Sequence, residues 1–169
     1  MKGINFGRGG VLNSASFSKI FVCRGERIKV TRSYLHEIDC PDCGSKQNTK
    51  IFESINVSVN PELKEELFQG RINLFRCKSC GNEASIPAAL LYHDMTKRFC
   101  VQFYPFNWLE RDNFLENFTK EGGLNIGLWM KISKHSKYME RTHIVFEMSE
   151  LVRYVIFRDK LHEKWGKAS

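Results

Sequence analysis

The sequence predicts an α+β fold: a zinc-ribbon-like antiparallel β-sheet, with a short helix inserted between two CxxC knuckles and a second helix at the C-terminus. Three observations predict it. The turns "CPDCG" (40–44) and "RCKSCGN" (76–82) repeat one pattern, each next to a strand-like run. Between them, "NPELKEELFQG" (60–70) carries helix punctuation. Near the end, "SELVRYVIFRDKLHEKW" (149–165) spaces its apolar residues by three and four.

Residues 1–37 read as an arm holding one or two strands, its first 19 residues rich in Gly, Ser and Asn. "FSKIFVC" is the first of these, and "ERIKVTRSYLHEI" leads into the first knuckle. A domain over 38–165 follows, and 166–169 form a tail. In "KIFESINVSVN", Ile55, Val57 and Val59 alternate, which predicts a half-buried strand. In the helix that follows, Asn60 is placed to cap and Pro61 fits the first turn, where its missing N–H costs nothing. Glu62 and Glu65 lie near the positive end of the helix dipole. Leu63, Leu67 and Phe68 make the apolar stripe, and Gly70 can take the left-handed stop.

"RINLFRC" is a strand that delivers Cys77. "LLYHDMTKRF" reads as a hairpin with "HDMT" at its turn, and Phe99, Val101 and Phe103 alternate along the returning strand. Residues 106–128 predict one or two short helices from Leu109, Phe114, Leu115 and Phe118, stopped at Gly122–Gly123. "IGLWMKISKHSKYMERTHIVFE" holds a strand at each end. In the last helix Ser149 is the expected cap, and Leu151, Val152, Val155, Ile156 and Leu161 form the buried stripe.

The 169 residues and 42% hydrophobic content suffice for one globular domain. No apolar run reaches the ~18 residues of a membrane span, and Gly, Ser and Asn break any secretory signal at the N-terminus. A reducing, cytoplasmic setting is therefore the expectation, and there paired cysteines more often bind metal than form disulfides.

Cys40, Cys43, Cys77 and Cys80 are the metal-ligand candidates. Each pair can reach one ion from a tight turn, and Gly44 and Gly81 let the chain fold back without a Cβ clash. Four thiolates close a tetrahedral site and leave no open position for water activation, so one structural Zn²⁺ is expected. Iron in a Cys₄ site is the other metal such ligands suit. A redox dithiol should open a helix in a βαβ unit, and neither pair does. Lys46, Arg76 and Lys78 crowd the site, either as outer partners of its negative charge or as ordinary solvated residues. Cys23 and Cys100 fall outside the pattern and read as structural thiols.

The formal charge of +7 is uneven. Four thiolates around one Zn²⁺ add about −2, so the loaded protein stays basic. The segment "CRGERIKVTR" places Arg24, Arg27, Lys29 and Arg32 as candidate nucleic-acid contacts. His93 and Asp94 in "YHDM" form the one other constellation; on an extended strand they point to opposite faces and converge only in a turn. His36, His135, His143 and His162 have no partner at metal-ligand spacing. No phosphate-cradling Gly loop and no nucleophile–base motif is present.

"CPDCG", "SINVSVNPELKEELFQGRINLFRCKSCG" and "ALLYHDM", in this order, resemble the CpXC-domain family of prokaryotic proteins, and "THIVFEMSELVRYVIFRDKL" is similar to its C-terminal strand–helix segment. The resemblance covers roughly residues 38–163. It implies zinc binding through Cys40, Cys43, Cys77 and Cys80 and defines no activity. The expectation from residues and resemblance together is a non-enzymatic, zinc-stabilised scaffold that binds another macromolecule, a protein first. Nucleic-acid binding through the basic segment is the alternative, and an enzyme using His93 and Asp94 is the third reading. No membrane partner is expected.

Overall fold

The computed structural model describes residues 31–125 and 134–166. The expected strand "FSKIFVC", Cys23, Arg24, Arg27, Lys29, the His135 side chain and the first strand of 126–147 lie outside the described residues.

Strands β1 (Arg32–Asp39) and β2 (Lys46–Asn56) form an antiparallel hairpin closed by the first knuckle, in register from Asp39 opposite Lys46 to Ser33 opposite Phe52. Helix α1 (Glu62–Phe68) follows. Strands β3 (Leu74–Arg76) and β4 (Glu83–Ser85) form a second antiparallel ribbon around the second knuckle. Strands β5 (Leu90–Asp94) and β6 (Phe99–Phe103) then pair as the expected hairpin, but its turn is residues 95–98, so His93 and Asp94 of "HDMT" lie at the end of the strand itself. Among the described residues three 3₁₀ segments follow (Phe106–Glu110, Phe114–Asn117, Lys134–Arg141), then β7 (His143–Val145) and helix α2 (Met148–Trp165).

The main sheet has the order β1-β2-β5-β6-β7, and it is mixed where the sequence predicted an antiparallel one. β2 pairs parallel with β5, and β6 pairs parallel with β7. A parallel neighbour needs a long crossover, and residues 57–89 and 104–142 supply the two. The α1–ribbon insertion is thus the connection that turns the sheet parallel.

Both faces of β6 are buried along all five residues, not one face in alternation. On one face Tyr92, Phe99, Val101 and Phe103 meet Leu151 and Val155 of α2 and Leu67 of α1. On the other, Cys100 packs with Met139 and Tyr138 of the third 3₁₀ segment. Tyr104, Trp108 and Phe114 form a further cluster next to it. A separate small core of Ile38, Ile51, Phe75 and Ile86 lies under the two knuckles.

Four local expectations change. β2 ends at Asn56, before Val57 and Val59. The buried Asn56 side-chain carbonyl accepts the Ser58 N–H at 3.1 Å, and its backbone carbonyl accepts the Asn60 N–H at 2.8 Å, so the chain turns there. Val59 is exposed. Asn60 does not cap α1 with its side chain, which donates to Glu62 Oε1 at 3.0 Å instead. The cap of α2 is Glu147, closed by a capping box with Glu150, whose carboxylate accepts the Glu147 N–H at 3.1 Å; the Ser149 hydroxyl donates to Glu147 and accepts from Arg153. The segment 106–117 forms two 3₁₀ turns, because Asn113 between them takes a left-handed φ of 61° that no helix passes through. Gly70 stops α1 as expected at φ +68°, and its N–H donates to the Leu67 carbonyl at 3.0 Å, whereas Phe68 and Ile156 of the two apolar stripes are exposed.

Candidate metal centre

The two knuckles are built alike. In the first, the Gly44 N–H donates to the Cys40 carbonyl (2.9 Å) and the Cys40 N–H to the Ser45 carbonyl (2.9 Å). In the second, the Gly81 N–H donates to Cys77 (2.9 Å) and the Cys77 N–H to Asn82 (2.8 Å). Both turns pass through a left-handed glycine, Gly44 at φ +69° and Gly81 at +76°. Each knuckle buries its first cysteine and exposes its second.

The four Sγ atoms lie within 4.8 Å of one another. Cys40 to Cys80 and Cys43 to Cys77 are each 3.6 Å. Four sulfurs at ~2.3 Å from a tetrahedral ion would stand about 3.8 Å apart, close to the two 3.6 Å separations, so the donor set suits one divalent ion. Cys40, Cys43, Cys77 and Cys80 would hold it, and it would supply cross-linking between the two hairpins. The four ligands fill a tetrahedral shell, so the ion would have no site for substrate.

Ser45, which the spacing did not single out, places its hydroxyl 3.2 Å from both Cys43 Sγ and Cys77 Sγ. That hydroxyl, helped by the Cys80 and Ser79 backbone N–H groups, pulls the Cys77 thiol down to about 5. It also lowers Cys43, with the Ser45 backbone. At Cys80 the lowering by the Asn82 backbone N–H is outweighed by desolvation and by the other three thiols, which push it up to about 12. Four sulfurs this close cannot all ionise unaided, and a cation between them removes the conflict.

Two side-chain amides hold the knuckles in register. Gln47, just after the first knuckle, donates from Nε2 to the Arg76 carbonyl (2.8 Å) and accepts the Lys78 N–H at Oε1 (2.9 Å). Asn73 does the reverse, from the second ribbon onto β2 at Phe52. The basic residues around the site have partners elsewhere: Lys46 lies by Glu37 (3.5 Å) and Asp39 (3.7 Å), and Arg76 pairs with Glu83. Lys78 meets the first hairpin through its backbone N–H.

His93 and Asp94 have different hydrogen-bond partners. His93 Nε2 and the Tyr138 hydroxyl are 2.6 Å apart on the 3₁₀ side of the sheet. Asp94 Oδ1 accepts the Lys97 N–H at 2.9 Å and lies 3.4 Å from the Ser58 hydroxyl, so it shapes the 95–98 turn. Both residues are buried. Of the basic segment only Arg32 is described, 3.6 Å from Glu53. Burial pushes the Cys100 thiol up to about 12, which keeps it protonated. His36 packs edge-on against Tyr34, His143 stacks on Tyr154, and His162 is exposed on α2.

This chain belongs to the CpXC family: the family described as CpXC protein matches residues 38–165. β1 begins upstream of that match, at Arg32, and pairs with β2 over its whole length. No curated protein and no solved structure matches the chain.

Proposed function

We propose that this chain is a non-enzymatic interaction module, held in shape by one structural Zn²⁺ at Cys40, Cys43, Cys77 and Cys80, whose partner is a protein. The observation that carries the reading is the closed four-thiol cluster, with Sγ atoms within 4.8 Å and no fifth ligand position. Its chemistry would be cross-linking, and His93 and Asp94 are engaged with Tyr138 and with Lys97 and Ser58.

The partner surface we assign is an apolar groove of about 600 Å³. Leu109, Phe114, Phe118 and Ile144 line it, with the exposed Leu115 at its lip. Exposed Phe106, stacked edge-on against Phe146, extends the same face. Apolar surface of this kind costs free energy in water and is a common protein-contact feature.

The test compares the intact protein with Leu115→Glu, chosen because the side chain is already solvent-facing and its loss leaves the core intact. Affinity capture, followed by rebinding of each captured protein in purified form, should give a partner that the intact chain binds and Leu115→Glu does not. Identical partner sets for the two would overturn the groove. Elemental analysis returning no zinc from protein purified in reducing buffer would overturn the ion.

A further inference from the structure

A second hollow, of about 480 Å³, opens where the 95–98 turn, the third 3₁₀ segment and α2 meet. Arg98, Lys137, Arg141 and Arg158 line it, with Phe99 and Tyr138 as its aromatic walls. Glu140 is the one carboxylate on its lining. Among the described residues, no carboxylate is in ion-pair contact with any of the four cations. Asp159, next to Arg158 on α2, is already shared between Lys64 and Lys97. Like charges gathered in one concavity repel, and Glu140 balances one cation of the four.

Two of the guanidinium groups are held in place. Arg98 lies 5.6 Å from the Tyr138 ring centroid, and Arg158 lies 4.7 Å from that of Phe99. Tyr138 is itself fixed by its 2.6 Å contact with His93. Arg98 also sits at φ +53°, a left-handed conformation that is strained for a non-glycine residue. Glycine would be more stable there, so the side chain is the part of Arg98 with something to do.

We propose that this hollow binds a compact phosphate anion, a pyrophosphate or phosphate ester carrying two or three negative charges. Guanidinium forks match phosphate oxygens in pairs, and the volume falls in the range of small-ligand sites. The net charge of the lining, four cations against one acid, matches such an anion. The inference is independent of the apolar groove, which lies among other residues, so either can fail alone.

The experiment is titration calorimetry of the full, metal-loaded chain with inorganic pyrophosphate, and separately with ADP, at about 50 and about 200 mM salt. Saturable binding at low salt that weakens at high salt is expected. Arg98→Gly and Arg158→Met should each weaken it at least about tenfold, the effect of one lost charge-assisted hydrogen bond. Arg98→Gly should melt no lower than the parent, because it relieves the left-handed backbone. Arg71→Gln, outside the lining of the hollow and paired with Glu66, should leave binding unchanged. No saturable heat with either ligand, or equal binding by all variants, overturns the site. Binding of a single-stranded oligonucleotide that the same two arginine variants abolish, with none of pyrophosphate or ADP, overturns it in favour of a nucleic-acid backbone.

Discussion

Asn73 holds the second ribbon to the first hairpin through the backbone of one residue, Phe52. Its Oδ1 accepts the Phe52 N–H at 2.8 Å, and its Nδ2 donates to the Phe52 carbonyl at 3.0 Å. The amide thus stands in for a paired strand residue on the edge of β2, which β5 covers only from Ser54 to Asn56. Asn73 is buried and takes φ +55°, and asparagine tolerates that backbone better than most residues. Its own carbonyl accepts the Ile86 N–H at 2.8 Å, so it also closes the second ribbon.

Asn73→Asp separates these roles. Aspartate keeps the left-handed tolerance and the acceptor for the Phe52 N–H, but it sets a second acceptor against the Phe52 carbonyl. The buried, mismatched group should cost about 2–3 kcal/mol. Urea unfolding at pH 7 measures it, and a loss below about 0.5 kcal/mol would show that water replaces the amide at no cost.

The knuckle glycines give a purely conformational test. A Cβ at Gly44 or Gly81 would meet no atom within 4 Å, so alanine there adds no clash. The left-handed φ values of +69° and +76° remain, and each alanine should cost about 1–2 kcal/mol. Gly81→Asn should recover part of it. Thermal melts of the metal-loaded variants read the order directly: glycine most stable, asparagine next, alanine least.

Acid should destabilise the fold in two windows of the same sign. His143 stacks on Tyr154 at a 3.9 Å centroid distance, and desolvation lowers its pKa against an opposing pull from Glu150. A lowered folded pKa means its contribution is full above about 6.5 and fades as pH falls through the depressed value. Asp159 lies between Lys64 (2.5 Å) and Lys97, tying α1, the 95–98 turn and α2 together. Burial raises its pKa, but hydrogen bonds from the two lysines outweigh that and lower it. Its contribution is full above about 3.9 and is lost as pH falls through the lower folded value. Melting temperature against pH should therefore lose its upper slope in His143→Phe and its lower slope in Asp159→Asn. Superimposable profiles for parent and variants would remove both assignments.

What the sequence showed clearly was local. A CxxCG knuckle is a five-residue object, and Gly44, Gly81 and Gly70 mark their turns by the backbone they must adopt. The 95–98 hairpin and the C-terminal helix were legible for the same reason, since their patterns repeat within one element. What stayed hidden depends on partners far along the chain. The parallel β2–β5 and β6–β7 pairings leave no mark in either strand's periodicity. Phe52 and Lys78 meet Asn73 and Gln47 across long loops, and a lone amide carries no spacing signal. The cationic hollow draws Arg98, Lys137, Arg141 and Arg158 from three elements, so no Lys/Arg block announces it. Two cap assignments missed because Asn60 and Ser149 had closer side-chain partners in Glu62 and Glu147.

Metal removal should unfold part of this molecule and spare the rest, because its two cores are separate. Ile38, Ile51, Phe75 and Ile86 pack with Cys40 and Cys77 under the site, a cluster too small to hold two hairpins together by burial alone. Leu90, Val101, Leu151 and Val155 belong to the larger core and touch no ligand. A structural zinc contributes about 10–16 kcal/mol in small fingers, as much as a whole domain's stability of about 5–15 kcal/mol. Chelation in reducing buffer, and Cys77→Ser equally, should therefore release hydrogen-exchange protection at Phe75 and Cys77 while Val101 and Val155 keep theirs. Restoring one equivalent of Zn²⁺ should recover protection in the chelated parent and not in the variant. Protection at Phe75 that survives chelation would mean that Gln47 and Asn73 suffice to hold the ribbon, and that the four thiols are not what joins the two hairpins.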